Sequence, residues 1–166
     1  MDALTRVANR GAFDRALAQW TSSHKEKRKP FILGIFDLDN FKRINDALGH
    51  VAGDRALIHF VTTVHATLRP TDLTARSGGE EFGVLLPALT GQEGVEAIDR
   101  LRRELARRPF VFEQDRLILT FSAGVAQWQP GDTLEQLMQR ADAALYEAKN
   151  TGKNRVCIER LTQGRA

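Results

Sequence analysis

Four acidic residues stand at the edges of two apolar runs. Residues 31–41 read FILGIFDLDNF, a run closed by Asp37 and Asp39 two positions apart, so both carboxylates face one side if the extended geometry persists. Residues 76–82 read RSGGEEF, where Gly78 and Gly79 lead straight into Glu80 and Glu81. Paired glycines weaken a strand, and adjacent carboxylates repel unless something positive sits beside them. One strand-end aspartate next to one hairpin glutamate makes a good site for Mg²⁺, which takes few carboxylates and completes its shell with waters and phosphate oxygens. The plainer role for Asp37 and Asp39 is to cap the following helix, and spacing alone leans that way.

The next segment, FKRINDALGHVAGD over 41–54, gathers Lys42, Asn45, Asp46, His50 and Asp54 into a loop-and-helix region with two glycines. Lysine is a point charge suited to a terminal phosphate. An asparagine with an aspartate reads a guanine edge, because a carboxylate accepts from two guanine donors that adenine does not offer in that geometry. The alternative makes Asn45 and Asp54 helix caps and His50 a surface residue. Near the far end, Lys149 and Lys153 bracket NTG at a helix C-terminus, where the helix dipole favours cations with or without a ligand.

Periodicity names the elements that must position these residues. Phe13, Ala16, Leu17 and Trp20 share a helical face within 9–20, and the apolar run at 31–39 reads as a buried strand. Leu57, Val61, Val64 and Leu68 recur at helical spacing from Asp54 until Pro70. Residues 72–77 and 81–87 flank Gly78–Gly79 as a β-hairpin. Val95, Ile98, Leu101 and Leu105 mark a helix that ends before Pro109. Residues 110–128 read as two strands about a tight EQD connection. From Thr133, Leu134, Leu137, Met138, Ala141 and Leu145 face inward on a helix that Gly152 closes, and 154–159 supply a last strand. The expected fold is α/β: one domain over 1–166, a mixed central β-sheet flanked by helices, with sheet and helices forming a single layer pair.

Composition narrows the function classes. The chain has 166 residues, 42% hydrophobic and 27% charged, with a net charge of +3, which suits a globular domain that binds an anion. Nucleic acid is disfavoured as a partner, because the basic residues are scattered and aromatics make up only 7%. The one dense basic cluster, HKEKRKP at 24–30, reads as a solvated loop. Cys157 is the single cysteine, which excludes an internal disulfide and a cysteine zinc site and fits a reducing cytoplasm. No apolar run approaches the ~20 residues of a membrane span, so no membrane contact is expected of this segment.

The stretches 36–57 and 76–82 together resemble the GGDEF family of diguanylate cyclases. DALTRVANR (2–10) is similar to that family's opening motif, and ALYEAKNTGKNRV (144–156) to its closing one. All four occur in the family's order and span nearly the whole chain. The resemblance implies a fold similar to nucleotidyl cyclase catalytic cores, and condensation of two GTP into cyclic di-GMP with release of pyrophosphate. It implies that Asp37 holds Mg²⁺ or Mn²⁺ through its carboxylate and Leu38 through its carbonyl. Glu80 would ligate metal and accept the proton of the ribose 3′-hydroxyl, with Glu81 also near the metals. Lys42 would steady triphosphate charge, Asn45 and Asp54 would recognise guanine, and Lys149 and Lys153 would contact phosphate. His50 would belong to the GTP site. Gly78 and Gly79 would adopt positive φ in the turn and let the backbone approach phosphate without a side chain in the way.

The chain departs from the family's pattern at Arg6 and Val7 in the opening motif, at Asn40 where an aromatic is common, and at Lys153 where arginine is common. Lysine keeps the charge and loses the bidentate fork. RPTD at 69–72 reads by itself as a helix-ending turn with a surface ion pair. The resemblance implies more: an RxxD five residues before the glycine pair forms an inhibitory product site, here Arg69 and Asp72, with Arg100 as a second-site arginine. Expected partners are therefore GTP, cyclic di-GMP as product and inhibitor, and a second copy in a transient homodimer. The chain reads as the catalytic fragment of a longer sensor protein, cytoplasmic or the cytoplasmic part of a membrane-attached one. Two other readings remain at this level: an inactive cyclic di-GMP receptor acting through Arg69 and Asp72, and a regulatory domain that binds GTP without turnover.

Overall fold

The computed structural model describes residues 1–27 and 30–159, with side chains left out from 23 to 29. Its elements run α1 (Arg10–Lys27), β1 (Phe31–Leu38), α2 (Phe41–Leu48), α3 (His50–Thr67), β2 (Leu73–Gly78), β3 (Glu81–Pro87), α4 (Gly91–Ala106), β4 (Phe110–Phe112), β5 (Asp115–Leu117), β6 (Phe121–Gln127), α5 (Leu134–Asn150) and β7 (Arg155–Ile158). Five strands form one sheet in the order β2-β3-β1-β6-β7, and β4-β5 form a separate ribbon. Among these strands only β6 and β7 pair in parallel, so the sheet is mixed.

All eight residues of β1 are buried, as its unbroken apolar run requires of a strand covered on both faces. Alternate residues serve two cores. Ile32 and Phe36 pack with α3 and α4 through Phe60, Val64, Ile98 and Leu101. Phe31, Leu33 and Ile35 pack with Phe13 and Leu17 of α1 and Leu137, Ala141 and Leu145 of α5. The single layer pair expected from the sequence is thus corrected to three layers, because β1 has no solvent face. Residues 110–128 hold three strands rather than two. The EQD turn does close a hairpin, but Leu119 and Thr120 break the chain before β6, and β6 pairs with β1. α1 continues to Lys27, so the basic run begins inside a helix, and residues 28 and 29 of that run lie outside the described residues.

Two local features set the site's frame. Gly49, at φ 93°, ends α2 and opens α3 directly, so the helix begins at His50 rather than Asp54, and Asn45 and Asp54 are helical residues and not caps. Gly124 brings α5 onto β6 at backbone contact, since a Cβ there would lie 2.2 Å from Ala141 O and Leu145 N. That contact fixes the middle of α5, about one turn before Lys149. At the near end, Thr133 and Gln136 form a reciprocal capping box, with bonds of 3.1 and 2.9 Å. Thr133→Ala is expected to cost about 1 kcal/mol, and Thr133→Ser far less. A thermal scan should show the alanine variant melting about 2–4 °C lower; equal melting of the two variants contradicts the cap's contribution.

Candidate functional site

The sheet register assembles the acids. Asp37 lies between Glu81 on β3 and Ser122 on β6, and Leu38 N–H donates to Glu80 O at 3.2 Å, which ties the strand end to the hairpin tip. The side chains converge on a hollow of about 210 Å³ lined by Asp37, Leu38, Asp39, Asn40, Phe41, Lys42, Glu80, Lys149 and Lys153. Three acids and three lysines share it. Lys149 Nζ pairs with Asp37 Oδ2, so the strand-end carboxylate, its side chain 12% exposed, already has a cationic partner. Lys153 Nζ reaches Asn40 Oδ1 at 3.3 Å.

Glu81 faces Asp37 across the ladder but is exposed and outside the hollow. Among the described residues, no three His, Cys, Asp or Glu side chains gather as a metal cluster. Of the carboxylates named for metal from the sequence, Asp37 and Glu80 line the hollow beside Leu38, and Glu81 does not. Those donors are all oxygen, the chemistry of a hard cation such as Mg²⁺ or Mn²⁺ that fills its shell from a bound phosphate. The cap reading of Asp37 and Asp39 is overturned. Asn40, at φ 59°, is the N-cap of α2 and makes no side-chain cap bond.

The hairpin tip needs a second correction. Neither Gly78 nor Gly79 has positive φ, because a bulge between Arg76 and Gly78 absorbs the bend instead. The space over the tip is open, since a Cβ on either glycine would meet nothing within 4 Å. Arg76 holds the tip, with Nε donating to Gly79 O at 2.9 Å and Nη1 lying 3.4 Å from Asp2. Burial pushes the Asp2 carboxyl up, but bonds from Thr5 and the charge of Arg76 outweigh it, so it titrates below the usual range. Arg76 and Asp2 are positioning residues missed from the sequence. Their signal was the arginine that opens RSGGEEF and the aspartate that opens the N-terminal motif.

Lys42, in the wall of the hollow, and Asn45, outside it, lie one turn apart on α2. The Asn45 carboxamide rests on Gly53, where a Cβ would lie 1.8 Å from its Oδ1. Asp54 follows Gly53 on α3, exposed, and His50 sits one turn earlier on the same face. The structure therefore places Asn45 beside the Asp54 turn and continuous with Lys42.

Arg69 and Asp72 form a closed unit. Arg69 Nη2 donates to Asp72 Oδ1 at 2.9 Å and to Pro87 O at 2.8 Å, while Arg69 N–H donates to Asp72 Oδ2 at 2.8 Å. The arginine side chain is 45% exposed and the aspartate's only 3%. Arg100 joins them in a cavity of about 220 Å³ with Leu89, Glu93 and Glu96. Bonds from the Thr90 amide and hydroxyl, helped by Arg69, hold the Glu93 carboxyl below its ordinary value.

The profile of the family described as "Diguanylate cyclase, GGDEF domain" matches residues 1–155. Diguanylate cyclase DgcP of Pseudomonas aeruginosa is 40% identical over 155 residues, covering 93% of this chain and 23% of that protein. A probable diguanylate cyclase of Escherichia coli, DgcT, is 34% identical over 161 residues, covering 95% of this chain and 35% of that protein. The chain thus spans about a quarter to a third of the length of these two curated relatives. Among solved structures, the GGDEF domain of DgcB from Caulobacter crescentus, in complex with cyclic di-GMP, superposes with a TM-score of 0.91 at 33% identity, covering 95% of this chain and 92% of that one.

Proposed function

We propose, from the premise that this chain belongs to the GGDEF domain family of diguanylate cyclases, that it condenses two GTP into cyclic di-GMP and two pyrophosphates. The observation that carries the reading is the hollow itself, where Asp37, Glu80, Lys42, Lys149 and Lys153 line one space at a strand end. Asp37, Glu80 and the Leu38 carbonyl would hold Mg²⁺ or Mn²⁺, which when bound neutralises phosphate charge and acidifies the attacking hydroxyl. Lys42, Lys149 and Lys153 would spread the triphosphate's charge, and Asn45 with Asp54 would orient guanine. The 3′-oxygen of one GTP attacks the α-phosphorus of the other, the bond to the β-phosphate oxygen breaks, and Glu80 receives the hydroxyl proton. The same exchange in the opposite direction closes the ring. Positioning and electrostatics supply most of the acceleration in such phosphoryl chemistry.

One hollow holds one GTP, so two loaded domains must face each other across a two-fold axis. At saturating GTP, activity per protein should therefore rise with protein concentration. A flat dependence, in samples shown by light scattering to be monomeric throughout, contradicts the two-domain mechanism.

Cyclic di-GMP as inhibitor fits Arg69, Asp72 and Arg100, which offer two guanidinium planes and one buried carboxylate around one cavity. Arg69→Ala removes a charge and a stacking plane, so product affinity should fall about tenfold or more with the initial rate preserved. Unchanged cyclic di-GMP binding by calorimetry would leave RPTD as a turn only. No helix among the described residues is long and apolar enough to cross a membrane. A reaction that draws on GTP belongs with the cytoplasmic nucleotide pool, which is the compartment this reading takes.

A further inference from the structure

Asp39 lines the hollow, yet both oxygens of its carboxylate already accept hydrogen bonds from the protein. Oδ1 accepts from Ser122 Oγ at 2.7 Å, and Oδ2 accepts from Thr120 Oγ at 2.8 Å and from Asn154 N–H at 2.9 Å. The residue is 8% exposed, so these bonds replace its hydration. The last of them reaches an unusual turn. Gly152, Lys153 and Asn154 all have positive φ, at 126°, 60° and 46°. For Lys153 that geometry costs roughly 1 kcal/mol or more and persists only when neighbours enforce it, whereas asparagine tolerates it more readily. Two of the enforcing contacts come from residues 39–40, and a third is local. Asp39 takes the Asn154 amide, Lys153 N–H returns to Ala148 O at 3.0 Å, and Lys153 Nζ meets the carboxamide of Asn40, itself at φ 59°.

We infer that Asp39 is a positioning residue for phosphate binding: it holds the 152–154 turn in its left-handed form and so aims Lys153 into the hollow. This rests on the proposed GTP site. It separates Asp39 from Asp37, which stands two residues away, and gives it no part in holding metal. The sign of the effect is diagnostic. Deleting a carboxylate beside an anion should tighten the anion by electrostatics alone, whereas loss of the turn weakens it.

The test is calorimetry with a non-hydrolysable GTP analogue and, separately, with guanosine, on the parent chain and on Asp39→Ala, Lys153→Ala and the double variant. Asp39→Ala should bind the analogue about tenfold more weakly, a loss of one well-aimed charge-assisted contact. Guanosine affinity should stay unchanged, and the double variant should be no weaker than Lys153→Ala, since the two act through one contact. Amide exchange at Asn154 should accelerate. If Asp39→Ala does not fold, Asp39→Asn decides, with faster exchange at Asn154, a weaker analogue and unchanged guanosine. Guanosine and analogue weakening together indicate a merely structural role and overturn the inference, as does an analogue bound as tightly as by the parent. Lys153→Ala without effect on the analogue overturns the phosphate reading beneath it, whereas an effect in Lys153→Ala but none in Asp39→Ala overturns only the role given to Asp39.

Discussion

Asp37→Asn is expected to abolish cyclic di-GMP formation, and Glu80→Gln to do the same. Each exchange keeps side-chain volume and removes the negative charge that a divalent cation needs. Loss of one metal ligand at a phosphoryl-transfer site should lower turnover by roughly 10³-fold or more. The fold should survive. The carboxamide introduced by Asp37→Asn still offers an oxygen to Lys149, and Glu80 lies in the two-residue turn between β2 and β3 rather than in a core. The check is chromatography of GTP reactions beside circular dichroism of each variant. Near-parent turnover by either, with an unchanged spectrum, contradicts the assignment.

The second large effect concerns the base. A site that pairs with the N1 and N2 donors of guanine leaves its acceptors unpaired with adenine, at about 1–3 kcal/mol for each lost partner. Losing both partners amounts to roughly 10²-fold or more between GTP and ATP. Asp54→Ala should erase most of that preference. Gly53→Ala offers a sharper test, because alanine favours the helix while its Cβ would lie 1.8 Å from Asn45 Oδ1. The carboxamide must swing away and the Phe41 ring, 3.2 Å from that Cβ, must give slightly, so GTP affinity should fall far more than thermal stability. Equal affinity for GTP and ATP in the parent chain, or unchanged GTP affinity in Gly53→Ala, removes this pair from the site.

Much of this was legible because it is local. The alternation around Gly78–Gly79 specifies a hairpin whatever lies elsewhere, and an apolar run that ends in Asp37 specifies a buried strand reaching the sheet edge. The 3.6-residue periods of α3, α4 and α5 fixed their inward faces, as Val64, Ile98 and Ala141 show. The missed features depend on distant partners. Asp39 looked like a helix cap because its true partners, Thr120, Ser122 and Asn154, lie more than 80 residues away. Ser122 was a faint signal, as a lone hydroxyl in a wholly buried stretch of β6. Left-handed Lys153 could not be read from residue type, since lysine has no preference for that region and its contacts enforce it, whereas Asn154 is of a type enriched there. The glycine pair invited a positive-φ turn by habit of residue type, whereas the bulge at Arg76–Gly78 did the bending.

One hollow, loaded with GTP and meeting its copy, should make a cyclic dinucleotide. The most direct test is to incubate the chain with GTP and Mg²⁺, or Mn²⁺, and to resolve nucleotides and pyrophosphate over time. Cyclic di-GMP and pyrophosphate should appear in a 1:2 ratio from two GTP, with neither formed by Asp37→Asn. GTP that stays bound and unchanged at high protein concentration, or pyrophosphate released without a cyclic dinucleotide, contradicts the proposed function.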